Sequence, residues 1–158
     1  MNWQEVCEHP SLKDLPFKIE LNERGQIVMS PVKVFHSLYQ GEIEYLLRKM
    51  MKTGKAFPEC AIKTRKGTKA ADVVWASSDR LNVIKHETQC SIAPEICVEV
   101  LSESNTTEEI EEKKALYFEN SAKEVWICTE DGDVSFFNIN GRLKVSGLAP
   151  DFPEKVTI

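Results

Sequence analysis

The chain has no run of about 18 apolar residues, the length a helix needs to cross a bilayer, so a membrane-spanning role is not expected. Its opening, Met1-Asn2-Trp3-Gln4-Glu5, lacks the basic start, apolar middle and small-residue end of a secretory signal. The expected compartment is the cytoplasm. Cysteine is sparse and unpatterned: the five residues, at 7, 60, 90, 97 and 128, form no CxxC pair and stand at no zinc-finger spacing from a histidine. They are expected to be reduced and mostly buried. Glycine and proline number only seven each, which excludes collagen-like and Gly/Pro-rich disordered chains. An excess of basic charge is missing too. With 20 basic against 25 acidic residues the net charge is −5, which excludes coating of nucleic acid by bulk electrostatics.

What is present fits one domain over residues 1–158, long enough to bury a core without disulfides or metal, with 42% hydrophobic residues to fill it. Charge is unevenly spread. Between Arg48 and Lys69 eight basic residues face Glu59 alone, whereas between Glu99 and Asp131 ten acids face Lys113, Lys114 and Lys123. The basic block reads either as a solvated face or as an edge that meets phosphate.

Periodicity gives the elements. Residues 17–21 and 26–29 flank Asn22-Glu23-Arg24-Gly25 and read as a hairpin closed at the glycine. From Pro31 the apolar period lengthens, with Phe35, Tyr39, Ile43, Leu46, Leu47 and Met50 at three- and four-residue steps, and Thr53-Gly54 ends that helix. Strands are expected near 57–64 and 70–77 around the turn Arg65-Lys66-Gly67-Thr68, then a looser stretch over 78–91. Ile96 to Leu101 is nearly continuous apolar sequence, as in a strand covered on both faces. Ser104-Asn105-Thr106-Thr107 offers capping side chains to a helix running to about Asn120. Strands over 125–128, 134–139 and 143–145 close the chain, leaving an edge that a second copy could pair with. This order predicts an α+β fold with an α/β-like core, a mixed central sheet flanked by helices, and peripheral β-hairpins.

Two acids stand where apolar residues are expected. Asp72 interrupts Ala70-Ala71-Asp72-Val73-Val74-Trp75-Ala76, and Glu99 lies between Cys97-Val98 and Val100-Leu101. A buried carboxylate without a partner costs several kcal/mol, so each calls for a basic side chain, backbone donors or a cation that takes oxygen ligands. A structural ion pair or an exposed edge position would account for either acid alone. A lysine on the next helix is a third element: on a helical wheel Lys113 falls between Leu116 and Tyr117, Lys114 between Tyr117 and Phe118, and spacing does not choose between them.

Together, Ala71-Asp72-Val73-Val74-Trp75, Ala93 to Ser102, Lys113 to Tyr117 and Glu124-Val125-Trp126-Ile127 resemble the Uma-type restriction endonuclease family, within the PD-(D/E)XK nuclease superfamily. Ile19-Glu20-Leu21, Gly25 to Pro31 and His36 extend the likeness over roughly residues 17 to 150. The resemblance implies a restriction-endonuclease-like core that hydrolyses DNA phosphodiester bonds with Mg²⁺, Mn²⁺ serving as substitute. It makes Asp72 the acid of the PD element and Glu99 that of the (D/E)XK element, and it selects Lys113, four residues before Tyr117, as the catalytic lysine. The sequence departs from the pattern at Ala71 in place of Pro, Leu101 in place of the usual Lys, and Glu95 where Asp is commoner. The ion would be held by Asp72, Glu99 and the main-chain carbonyl of Val100. His36, Glu44, Ser102 and Tyr117 are candidate supporting residues; Arg48, Lys63, Arg65, Lys66 and Lys69 are candidate DNA contacts. DNA and a second copy of the chain are the expected partners. The competing reading is a nuclease fold without turnover, serving as a DNA-binding or protein-interaction module.

Overall fold

The first hairpin forms where its turn residues predict, with β1 (Phe17–Leu21) antiparallel to β2 (Ile27–Pro31). Ahead of it lies the short α1 (Trp3–Glu8), whose six residues are too few for a helical period to show in sequence. The computed structural model describes residues 1–158.

Helix α2 (Val34–Met50) buries Tyr39, Ile43 and Leu47 along one stripe and carries Arg48 and Lys49 in its last turn, where positive charge suits the helix dipole. Two long strands follow, β3 (Lys55–Thr64) and β4 (Gly67–Ala76), then α3 (Ser78–Ile84) within the stretch read as loose. Glu95 explains how so short a helix is held: its carboxylate accepts the Ser77 N–H at 3.0 Å, while Arg80 donates to the carbonyls of Ala93 and Ser121, both at 2.7 Å. Strand β5 (Ile96–Val100) is buried at all five positions. Helix α4 (Thr107–Glu119) starts at a capping box in which Thr106 and Glu109 satisfy each other's backbone N–H groups. It is followed by β6 (Glu124–Cys128), β7 (Val134–Asn138) and a three-residue edge strand, β8 (Gly141–Leu143). The last strand therefore begins two residues earlier than its apolar pattern indicates and stops before Lys144.

Strands β3 to β8 form a six-stranded sheet in sequence order, antiparallel except for β5 and β6, whose parallel pairing requires the α4 crossover. The predicted mixed sheet flanked by helices is thus the observed one. Pro58 sits on β3, an outer strand, where a missing N–H is tolerated. One face packs Val73, Trp75, Val98 and Trp126 under α2 and the C-terminal residues Phe152 and Val156. The other packs Val74, Cys97, Val125 and Ile127 under α3 and α4. Four cysteines are buried, Cys7 is exposed, and all five are free thiols. No helix is long and apolar enough to cross a membrane.

The β1–β2 hairpin is a separate two-stranded sheet that leans on β4. Gly67 permits this approach: with φ at +89°, a Cβ there would lie 2.3 Å from the Leu21 carbonyl oxygen. Because the hairpin comes so close, the polar side of β1 is carried against the middle of the sheet.

Candidate active site

Strands β4 and β5 pair only through Val73↔Val98, Val74↔Cys97 and Trp75↔Ile96. Asp72 and Glu99 are the next residues on each strand, so the two acids lie where the strands part. The parting frees the Val100 N–H from β4 backbone, and the Asp72 carboxylate takes it instead at 2.8 Å. Directly across β4, the ladder to β3 skips Glu59, a residue with φ of +52°.

Each acid uses its two oxygens differently. Asp72 Oδ2 is fixed by the Val100 N–H and by His36 Nε2 at 3.3 Å. Glu99 Oε1 is fixed by the Tyr117 hydroxyl at 2.5 Å and by Lys113 Nζ at 3.5 Å. The remaining oxygens, Asp72 Oδ1 and Glu99 Oε2, share one partner, Lys18 Nζ, at 3.0 and 3.6 Å. Laid end to end, those contacts cap the separation of the two oxygens at about 6.6 Å. The pair is 2% and 4% exposed.

Strand β1 supplies two residues that sequence reasoning missed, Lys18 and Glu20. Glu20, also buried, accepts the Ala70 N–H at 2.7 Å and Lys113 Nζ at 3.0 Å. The two lysines of α4, which spacing alone does not separate, have different surroundings. Lys113 reaches Glu20 and Glu99, while Lys114 lies 3.7 Å from the Phe137 ring centroid and pairs with Glu111.

The electrostatics separate the two strand acids. Burial opposes ionisation of Asp72, but Lys18 and His36 outweigh it and hold its carboxyl well below the usual range. At Glu99 burial wins over Lys113 and Lys18, helped by repulsion from Asp72 and Glu20, and the carboxyl is raised. Glu20 is lowered, because Lys113, Lys18 and its backbone bond overcome burial. Burial would also depress Lys18, yet Glu99, Asp72 and Glu20 together push it far above an ordinary lysine.

His36 is raised by its bond to Asp72, partly offset by burial. A histidine raised on folding contributes stability that is complete below its unfolded value, near 6.5, and is lost as pH climbs through the folded one. The difference in unfolding free energy between wild type and His36→Asn, measured in urea with EDTA present, is therefore expected to be larger at pH 5.5 than at pH 8.5. Equal differences at both pH values would remove the Asp72–His36 pair from the site's electrostatics.

Not every sequence-predicted residue converges here. Glu44 faces away and pairs with Arg48 at 2.9 Å, one turn on, so of the two α2 candidates only His36 reaches an acid. Ser102 lines the cleft, but its hydroxyl bonds Ser104 and Asn105 in the β5–α4 loop. Among the candidate DNA contacts, Arg65 pairs with Glu119 and Lys66 with Glu112. The early basic block and the late acidic block thus meet each other, with α4 partly neutralising the β3–β4 turn. Lys63 is exposed, and Lys69 enters the cleft wall, its Nζ 3.3 Å from the Leu21 carbonyl and its pKa lowered by burial.

The acids open into a cleft of about 350 Å³ bounded by the hairpin, the start of α2 and the β5–α4 loop. No group of three or more His, Cys, Asp or Glu side chains is arranged around one point to hold an ion. The donor set that converges is a pair of carboxylate oxygens, which fits a hard cation that retains water and does not fit a closed zinc site.

The fold has a counterpart among solved structures. A crystal structure of a putative nuclease belonging to DUF820, from Anabaena variabilis ATCC 29413, superposes with a TM-score of 0.77 at 16% identity, covering 98% of this chain and 94% of that one. No curated protein matches the chain. Residues 3–150 match the family described as Uma2, putative restriction endonuclease. The chain belongs to that family.

Proposed function

We propose that the protein is a divalent-metal-dependent DNA endonuclease that acts through Asp72, Glu99 and Lys113, with Mg²⁺ as its ion. One observation carries this reading: each strand acid has one oxygen fixed by the scaffold and the other turned toward a shared point, beside the Lys113 ammonium and inside an open cleft. Two carboxylates with the remaining positions left to water suit Mg²⁺, and Mn²⁺ in its place. The Val100 carbonyl is the proposed third protein ligand. When bound, the ion supplies positive charge that screens the phosphodiester and makes water acidic enough to attack it.

The chain's own groups do the rest. Tyr117 and the Val100 N–H keep Glu99 and Asp72 from turning away. Glu20 sets the height of Lys113, whose ammonium orients the attacking water and meets the charge that develops as the new P–O bond forms and the ester P–O bond breaks. Loss of one such transition-state contact costs on the order of 3 kcal/mol, about 100-fold in rate. Lys69 is the backbone contact nearest the reacting phosphate. Lys63, Arg65 and Lys66 extend that surface along β3 and the β3–β4 turn, and the exposed carboxylate pairs of Arg65 and Lys66 are weak enough to exchange for phosphate, whereas Arg48, paired with Glu44 in the last turn of α2, is set apart from the cleft. A homodimer would place one site on each strand of a duplex.

Supercoiled plasmid incubated with the protein and Mg²⁺ or Mn²⁺ is expected to be nicked or linearised, and EDTA is expected to abolish it. The binding-module alternative draws on Leu101 at the usual lysine position and on the ammonium of Lys18 between the acids. It predicts retarded DNA with no cleavage under either metal.

A further inference from the structure

Lys18 is the unexpected member of the cluster. Its ammonium is the sole partner of Asp72 Oδ1 and Glu99 Oε2, the two oxygens that the scaffold leaves free. Its side chain is 16% exposed and is brought there by β1, whose neighbour Glu20 is bonded to the β4 backbone. We propose that Lys18 is a resident counter-ion standing in the cation position, so that metal binding is an exchange in which the ammonium leaves as the divalent ion enters. This inference rests on the metal reading above and adds to it a residue that sets metal affinity.

Three observations support exchange over simple coexistence. An ammonium and a divalent ion competing for the same two oxygens repel each other strongly in a poorly solvated site. The Lys18 ammonium, seated on both of those oxygens, therefore has to move as the ion enters. The cleft gives it somewhere to go, since Glu59 and Glu109 line the same space and a substrate phosphate would enter there. When it leaves, Asp72 Oδ1 and Glu99 Oε2 lose their only cation unless another replaces it, because His36 and Lys113 sit on the opposite oxygens.

The test uses Mn²⁺ alone, with no DNA. Calorimetric titration is expected to show Lys18→Met binding Mn²⁺ at least tenfold more tightly than wild type, and Lys18→Arg, which keeps the charge, binding no more tightly than wild type. In parallel, wild-type protein treated with an amine-reactive ester and mapped by mass spectrometry is expected to show Lys18 modified at least fivefold faster with saturating Mn²⁺ than with EDTA. Equal Mn²⁺ affinity in wild type and Lys18→Met, or Lys18 labelling indifferent to Mn²⁺, overturns the exchange while leaving the metal site standing. Should Lys18→Met not fold, the labelling of wild type decides alone. Failure of wild type and both variants to bind Mn²⁺ overturns the metal reading and the exchange with it.

Discussion

Asp72→Asn and Glu99→Gln are each expected to lower metal-dependent cleavage at least 100-fold and yet to move stability in different directions. Both substitutions keep side-chain shape and remove a carboxylate oxygen that would meet the ion, so both lose the charge that holds it. Their folded environments differ. Asp72 is more acidic in the fold than in the unfolded chain, so its charge stabilises the protein at neutral pH, and that contribution disappears as pH falls through the unfolded and then the folded value. Glu99 is less acidic in the fold, so its contribution is greatest in acid and is lost as pH rises through its raised value. At pH 7.5 the Asn variant should unfold at lower urea than wild type. The Gln variant should match or exceed wild type, since Lys18 keeps Asp72 and Lys113 keeps Glu20. A carboxylate retained against the preference of the fold is what a functional role predicts. Cleavage assays and urea midpoints on the same preparations check both halves, and wild-type cleavage by Glu99→Gln would remove that residue from the reaction.

The second large effect lies outside the cleft. Glu124, 4% exposed at the start of β6, accepts four hydrogen bonds: Trp126 Nε1 at 2.8 Å and Ser146 Oγ at 2.6 Å on Oε2, and the Gly147 and Leu148 N–H groups at 2.7 and 3.0 Å on Oε1. It thereby ties residues 146–148, and the Ala149, Phe152 and Val156 that follow, over the Trp126–Phe136 face of the core. Glu124→Ala leaves four donors without their acceptor, and each buried unsatisfied group costs about 1–3 kcal/mol. Because the tail relaxes as a unit the costs will not add, and a total near 4 kcal/mol is expected from urea unfolding. A cost below about 1 kcal/mol would mean that water replaces the carboxylate and that the tail is not held there.

Glu124 also marks how far the sequence could be read. An acid inside an apolar strand singles out Asp72 and Glu99, but Glu124 satisfies the same description and is structural. The difference lies in the partners, which are main-chain and neutral donors for Glu124 and lysines at an open cleft for the other two. Partners from distant segments have no local signature. The same reason hid Lys18 and Glu20: alternation in Phe17-Lys18-Ile19-Glu20-Leu21 marks a strand with one polar side, which normally faces water, and only the approach of the hairpin past Gly67 buries it. What was legible followed from local rules. The α2 stripe, the capping side chains at 104–107 ahead of α4, the β3–β4 turn and the doubly buried β5 each depend on residues within one element. Helices of six and seven residues, α1 and α3, fall below the length at which a period of 3.6 declares itself. The charge asymmetry between the two halves was legible as well, though half of its meaning was internal, since Arg65 and Lys66 find their acids on α4.

A crystal soaked in Mn²⁺ and measured at the manganese absorption edge tests the site most directly. The expected result is one anomalous peak between Asp72 and Glu99, about 2.2 Å from an oxygen of each, with the Lys18 ammonium withdrawn from both. A peak elsewhere, or none at saturating Mn²⁺ with Lys18 still bridging the two acids, would contradict the assignment.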